Sequence, residues 1–160
     1  MSQPLSERLA VLLQYLLPKQ ALTLLAGRFA GWQGGRWTTA AIRRFVRRYQ
    51  VDMGEAANPD VASYPTFNAF FTRPLRSGAR PMAEADFVSP VDGAISQCGR
   101  IEGDRIFQAK GHDYTTRALV GGDAALASRF EGGEFATLYL SPRDYHRIHM
   151  PCAGRLVRMV

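Results

Sequence analysis

The spacing of apolar residues in the first third of the chain follows a helical period. Leucine dominates residues 5–17, and Pro18 is expected to end that run. In residues 38–50, apolar side chains recur at positions i, i+3, i+4 and i+7, which is the spacing of one helix face. These residues are Ile42, Phe45, Val46 and Tyr49. Both runs predict amphipathic helices.

The pattern changes after about residue 62. Residues 51–62 are acidic and contain turn-forming residues, which indicates a connector. From residue 88 onward, short runs of β-forming residues alternate with glycine turns. These runs are residues 93–97, 105–108 and 135–140. We therefore expect an α+β chain, with a helical segment over residues 1–62 and a β-rich part over residues 63–160.

One short helix is predicted at the beginning of the β-rich part. Thr66 is a suitable N-cap residue for it, and Phe67, Phe70 and Phe71 then share one face. Aromatic side chains bury large apolar areas. We therefore expect these three phenylalanines to belong to the core.

Two of the three histidines lie three positions apart, just after the predicted strand 135–140, which we expect to be buried. Because the unperturbed pKa of histidine is about 6.5, His146 and His149 are candidates for an acid/base centre. Two structural histidines are an equal alternative. A zinc site with Asp144 and Cys152 is weaker, since no second pair of Cys or His ligands accompanies them. We predict no metal site.

A single acid interrupts the apolar stretch 87–96. Asp92 precedes Gly93, so it could be an ordinary turn residue followed by a glycine at positive φ. It could equally be the carboxylate that orients a catalytic histidine. The residue pattern alone leaves both interpretations open.

Positive charge is concentrated in the first third of the chain. The net charge is +6, yet residues 1–50 alone contain eight basic residues against one acid. Four of these are arginines on the polar face of the helix predicted over residues 38–50, and Trp32 and Trp37 lie nearby. The four arginines are Arg43, Arg44, Arg47 and Arg48.

A basic amphipathic helix beside tryptophans is typical of a segment in a membrane interface, with arginines toward anionic headgroups. A surface helix whose apolar stripe packs on the core is the alternative. Nucleic-acid binding ranks low, because no nucleic-acid-binding motif accompanies the arginines. Residues 5–17 are shorter than the roughly 20 apolar residues that a bilayer span requires. Cys98 and Cys152 suit a reducing compartment, and we expect them to be small buried side chains rather than a disulfide.

Four stretches together resemble the bacterial phosphatidylserine decarboxylases. They are residues 67–75, 89–96, 107–114 and 141–151, in that order along the chain. The resemblance implies a pyruvoyl cofactor that acts as electron sink while phosphatidylserine loses carbon dioxide. It implies three partners, namely phosphatidylserine, an anionic membrane surface and a pyruvoyl-bearing C-terminal subunit, and leaves a homodimer open. The implied location is peripheral, on the cytoplasmic side of the cell membrane.

The resemblance also implies roles for individual residues. Asp92 and His149 match the acid and base that activate a serine for self-cleavage, and His146 matches the histidine of the decarboxylation step. We expect a turn between the two histidines, started by Pro142, because only a turn would let both reach one pocket. The role of His112, in the third stretch, stays open.

The sequence departs from the family at the cofactor. None of its eight serines follows a glycine, so the Leu-Gly-Ser-Thr motif that yields the pyruvoyl group is absent. We therefore expect an N-terminal fragment, truncated at residue 160, that is inactive alone and receives the pyruvoyl group from the missing C-terminal part. A noncatalytic membrane-binding module is the alternative from another class, and a serine hydrolase is a third.

Overall fold

The computed structural model describes residues 18–109, 112–157 and 159. Helix α1 spans Lys19–Ala30 and helix α2 spans Arg36–Tyr49. Two short 3-10 helices follow, Met53–Glu55 and Val61–Ser63, and then helix α3, Phe67–Phe71. The helix predicted over residues 5–17 lies outside the described residues.

Helix α1 is not predicted by the apolar spacing. Pro18, expected only to end a helix, is the N-cap residue of α1. Proline is tolerated at a helix beginning, because its missing N–H would have no intrahelical partner there. Helix α2 confirms the second predicted helix and begins two residues earlier than expected. It ends at Tyr49, and the C-cap residue Gln50 has a left-handed backbone (φ 54°) and donates its N–H to the carbonyl of Val46.

The β-rich part contains two antiparallel pairs of strands. Strand β1 (Ala94–Arg100) pairs with β4 (Glu134–Tyr139), and β2 (Arg105–Ala109) pairs with β3 (His112–Thr115). Short helices α4 (Thr116–Leu119) and α5 (Ala124–Ser128) connect β3 to β4. The three predicted strands are thus confirmed, and the fold class is α+β.

Strand β4 is less buried than predicted. Its residues are exposed or half-buried, and β1 is exposed along its whole length. Within the described residues β1 and β4 form a ribbon of only two strands, and such a ribbon needs a further layer packed on one face to bury its side chains. Cys98 on β1 is accordingly exposed rather than buried, and both cysteines are free thiols.

The main apolar core lies between α2, α3 and the segment that joins them. Ile42 and Phe70 are fully buried at its centre. Val51 and Tyr64 complete the buried cluster, and Phe45, Val46, Phe67 and Phe71 pack against it. The interpretation that the apolar stripe of α2 faces a membrane is therefore wrong, because this stripe packs on the protein's own core. The core joins residues from both sides of position 62.

Helix α1 and the turn after it expose large apolar side chains. No residue of α1 is buried. The exposed residues, which we call the α1 apolar surface, are Leu22, Leu24, Leu25 and Phe29 of α1, Trp32 of the turn, and Trp37 at the beginning of α2. No helix in the described parts of the chain is long and apolar enough to cross a bilayer.

The core predicts a large difference between two phenylalanines. Phe70→Ala should lower the free energy of unfolding by about 3–5 kcal/mol, because it leaves a cavity between α2 and α3. Phe87→Ala makes the same chemical change at a side chain that is 72% exposed. It should change the free energy of unfolding by no more than about 0.5 kcal/mol. Urea unfolding of both variants measures this, and equal losses would contradict the assignment of the core.

Candidate functional site

The structure brings the stretch around Asp92 next to the stretch that carries the histidines. The register of β1 and β4 pairs Ala94 with Tyr139, at the end of the ribbon nearest both stretches. Beyond the ribbon, the backbone N–H of Val88 donates to the carbonyl of Pro151 at 2.8 Å. The N–H of His149 donates to the carbonyl of Pro90 at 2.9 Å. Residues 88–92 and 149–151 therefore lie side by side.

Gly93 is needed here for close approach and not for an unusual backbone angle. It is not among the glycines at positive φ, so the interpretation of Asp92-Gly93 as a simple turn of that kind is wrong. A Cβ at position 93 would lie 2.8 Å from the carbonyl oxygen of Tyr139. Only glycine lets the chain pass the end of β4 this closely.

The turn predicted at Pro142 exists, but it precedes both histidines. The carboxylate of Asp144 accepts from the N–H of Ser141 at 2.6 Å, and the N–H of Asp144 donates to the carbonyl of Ser141 at 2.9 Å. This local pairing closes a turn over residues 141–144. Residues 145–150 contain no turn, so the expectation of a turn between the histidines is wrong.

His149 is held by Tyr145. The two rings stack with their centroids 5.5 Å apart, and the tyrosine hydroxyl lies 2.9 Å from Nε2 of His149. Tyr145 is buried, with 8% of its surface exposed, whereas His149 itself is exposed. One ring nitrogen of His149 thus has a fixed partner within the protein.

His146 is held by a different part of the protein. Its ring lies on Phe71, with centroids 4.0 Å apart, and Nδ1 lies 2.8 Å from the carbonyl oxygen of Asp144. A carbonyl oxygen only accepts, so Nδ1 carries the proton and Nε2 is left for other partners. Phe71 is therefore a site residue as well as a neighbour of the core.

The end of α3 fastens the histidine segment. Arg73, only 3% exposed, donates from Nη2 to the carbonyl of Arg143 at 3.4 Å, and its guanidinium lies 5.3 Å from the centre of the Phe70 ring. Burial lowers the pKa of Arg73. From the other side, Nε of Arg147 donates to the carbonyl of Thr72 at 2.7 Å.

Two cavities meet at Asp92 and Tyr145. One, of about 450 Å³, is also lined by His149, and the other, of about 810 Å³, by Glu55 and Asp144. His146 lines neither cavity. The structure thus brings Asp92 and His149 to one cavity and places His146 elsewhere. Among the described residues, the carboxylate of Asp92 makes no hydrogen bond to His149.

Arg80 is the partner of Asp92. Its Nε donates to Oδ2 of Asp92 at 2.7 Å, and its Nη2 lies 2.6 Å from the same oxygen. Nη1 and Nη2 also donate to the two carboxylate oxygens of Glu55, each at 2.8 Å. The hydrogen bond from Arg80 lowers the pKa of Glu55, and the two acids raise the pKa of Arg80.

Sequence reasoning missed Arg80, Glu55 and Tyr145 as site residues. Arg80 lies in a connector, and its two partners are 25 and 12 positions away, so no spacing links them. Tyr145 lies within the recognised stretch, and its position four residues before His149 was the available signal.

The metal alternative finds no support in the arrangement of these residues. Within the described residues, no three His, Cys, Asp or Glu side chains form a group that could hold a metal ion. The carboxylate of Asp144 is engaged by the backbone of Ser141. The side chain of His112 lies outside the described part of the structure.

Comparison with known proteins identifies related sequences. The sequence profile of a family described as phosphatidylserine decarboxylase matches residues 67–160, and a second profile, described as PSD, matches residues 9–50. A phosphatidylserine decarboxylase proenzyme of Azoarcus sp. (strain BH72) is 71% identical over 156 residues, which are 98% of this chain and 54% of that protein. The proenzyme of Chromobacterium violaceum is 68% identical over 155 residues, 97% of this chain and 55% of that protein. The chain thus spans about half the length of the curated relatives it matches.

The contact between Tyr145 and His149 can be tested directly. Tyr145→Phe removes the hydroxyl group and should change the side-chain ¹⁵N chemical shifts of His149 but not those of His146. It should cost about 0.5–1.5 kcal/mol of stability, as expected for one hydrogen bond. Tyr139→Phe is the matched control, since Tyr139 is 61% exposed. Unchanged His149 shifts in Tyr145→Phe would show that the contact is absent in solution.

Proposed function

The chain belongs to the phosphatidylserine decarboxylase family, and on this premise we propose that it is part of a proenzyme that converts phosphatidylserine to phosphatidylethanolamine. The observation that carries the proposal is the meeting of Asp92 and His149 at one cavity. These two residues are 57 positions apart in the sequence and lie in two of the four stretches that resemble the family. A further part of the proenzyme supplies the serine of the Leu-Gly-Ser-Thr motif, which is absent from this chain.

Asp92 and His149 act in self-cleavage. A histidine needs a carboxylate to fix its orientation before it can take a proton from a serine hydroxyl. His149 is exposed on one side of the cavity, so a serine from another segment can approach it. Nε2 of His149 is the nitrogen that takes the serine proton, so the serine hydroxyl replaces the hydroxyl of Tyr145, which lies 2.9 Å from Nε2 in this structure.

The cavity suits a pyruvoyl group formed from that serine. It has a volume of about 450 Å³ and borders a carboxylate and an imidazole. When bound, the pyruvoyl group would supply a carbonyl that withdraws electrons while the substrate loses its carboxyl group. Asp92, Tyr145 and His149 are the residues of this chain that would surround it.

The family resemblance assigns His146 to the decarboxylation step, although His146 lines neither of the two cavities in this structure. Carbon dioxide loss leaves a carbon atom that must receive a proton. The imidazolium form of His146 can donate the proton on Nε2, which has no hydrogen-bond partner among the described residues, while Nδ1 keeps its proton toward the carbonyl of Asp144. The stacking on Phe71 fixes the ring plane. General acid catalysis contributes typically about 10² to 10⁴-fold. Loss of His146 should therefore lower turnover by this factor, while self-cleavage, which uses His149 as its base, continues.

Substitutions in the full-length proenzyme separate these roles. Asp92→Asn and His149→Ala should leave the proenzyme uncleaved, because the serine loses its base or the base loses its orientation. His146→Ala is the matched histidine control. It should mature into two chains yet lose about 10² to 10⁴-fold in turnover. Gel electrophoresis measures maturation, and carbon dioxide release measures turnover.

Two results would contradict this proposal. Normal maturation of both Asp92→Asn and His149→Ala would remove the self-cleavage assignment. Near-normal turnover of matured His146→Ala would leave His146 a structural residue. A block of maturation in Asp92→Asn and His149→Ala would also contradict the noncatalytic membrane-binding module, because in such a module these substitutions affect no chemistry.

The protein acts at a membrane surface, as a peripheral protein on the cytoplasmic side. The arginines on the outer face of α2 are all exposed, and the α1 apolar surface lies just before them in the chain. Exposed apolar side chains beside basic ones are suited to anionic lipid headgroups and the boundary beneath them. The apolar part of this contact comes from α1, because the stripe of α2 is in the core.

Lipid binding should depend on the position of the arginines and not only on net charge. Replacing Arg43, Arg44, Arg47 and Arg48 with Gln should weaken binding to anionic vesicles, since each contributes about 1 kcal/mol near the surface. High salt should weaken binding of the unaltered protein in the same way. A charge-matched control replaces four exposed arginines of the β-rich part, namely Arg100, Arg117, Arg129 and Arg155. Vesicle sedimentation measures both, and equal losses would contradict a role for α2.

A further inference from the structure

The carboxylate of Asp92 is held through one of its two oxygens. Both contacts of Arg80 converge on Oδ2, at 2.7 Å from Nε and 2.6 Å from Nη2. Among the described residues, Oδ1 accepts no hydrogen bond. The planar guanidinium thus fixes the orientation of the carboxylate while it leaves one oxygen for another donor.

Arg80 is itself held from the opposite side. Its two terminal nitrogens donate to the two oxygens of Glu55, and Nη1 also donates to the carbonyl of Ala79 at 2.8 Å. The backbone anchors Glu55 in turn. Ala56 forms an isolated β-bridge with Leu75, and the N–H of Arg76 donates to the carbonyl of Glu55 at 2.8 Å. Arg80 therefore links the carboxylate of Asp92 to the anchored segment that contains Glu55.

This arrangement contributes more to position than to folding. The side chains of Arg80 and Glu55 are each 38% exposed, and that of Asp92 is 30% exposed. Ion pairs as exposed as these contribute little to stability. A catalytic group displaced by about 1 Å, however, can cost about 10²-fold in rate. Loss of Arg80 would also leave two carboxylates near each other without the cation between them.

We propose that Arg80 is a positioning residue for self-cleavage, which holds Oδ2 of Asp92 so that Oδ1 is free to receive the imidazole N–H of His149. The inference rests on the proposed function of Asp92 and His149. Arg80 acts through Asp92 and touches no reacting atom. Glu55 holds the guanidinium in turn, by accepting hydrogen bonds from its Nη1 and Nη2 atoms.

The test compares self-cleavage rates of the full-length proenzyme and its variants. Arg80→Ala should slow cleavage by about 10²-fold, with little change in the thermal unfolding midpoint. Arg80→Lys keeps the positive charge but loses the planar guanidinium, so its cleavage rate should lie between the rates of the unaltered proenzyme and of Arg80→Ala. Free guanidinium ion should accelerate Arg80→Ala, because it can occupy the exposed space between Glu55 and Asp92. It should not accelerate Asp92→Asn.

Arg76→Ala is the matched control. The side chain of Arg76 holds the short 3-10 helix that contains Glu55, through a hydrogen bond from Nε to the carbonyl of Gly54 at 3.2 Å. It makes no hydrogen bond to Asp92 among the described residues. Cleavage of Arg80→Ala at the unaltered rate would overturn the proposal. So would equal slowing by Arg76→Ala, or failure of guanidinium to accelerate Arg80→Ala. If Asp92→Asn blocks cleavage and Arg80→Ala does not, this inference fails alone. If Asp92→Asn and His149→Ala both cleave normally, the self-cleavage assignment under the proposed function fails as well.

Discussion

The antiparallel pairing of β1 with β4 is the constraint on which the candidate site depends. It places Ala94 opposite Tyr139, so that Asp92 just before β1 and the turn just after β4 emerge at the same end of the ribbon. Backbone hydrogen bonds between residues 88–90 and 149–151 continue the contact beyond the strands. The side-chain period of a strand is two residues, so a slip of one residue would reverse the facing of its side chains. The close approach at Gly93 permits no bulkier residue at this point, which helps to fix the register.

Local patterns predicted most of the helices and strands, and motif resemblance predicted Asp92, His146 and His149. Helix α3 illustrates why: Thr66 caps it by accepting the N–H of Ala69, a contact between residues three positions apart. The ion-pair chain through Arg80 could not be predicted in this way. Its members come from three segments that meet only in the folded protein. Spacing along the chain carries no information about such contacts, whereas it carries nearly all the information about a helix cap.

Helix α2 shows what periodicity cannot decide. An apolar stripe with arginines opposite has the same spacing whether the stripe packs on a core or on lipid. The deciding factor is the presence of partners elsewhere in the chain, and here Phe70 and Tyr64 provide them. Helix α1 differs from α2 in two ways. Its apolar spacing did not predict a helix, and the structure buries none of its residues. The exposed apolar side chains of α1 therefore had to be found from the structure and not from periodicity.

The two histidines depend on separate supports, and this bears on how one short segment could serve two reactions. His149 is fixed by Tyr145 and by a backbone hydrogen bond to Pro90, which lies two residues before Asp92 in the chain. His146 is fixed by Phe71 and by the carbonyl of Asp144, and Arg73 holds the neighbouring turn from α3. A change at α3 can thus displace His146 while the contacts of His149 with residues 88–92 persist. Because rigid packing transmits displacement only through elements in contact, separate supports would allow the two proposed proton transfers to be adjusted independently.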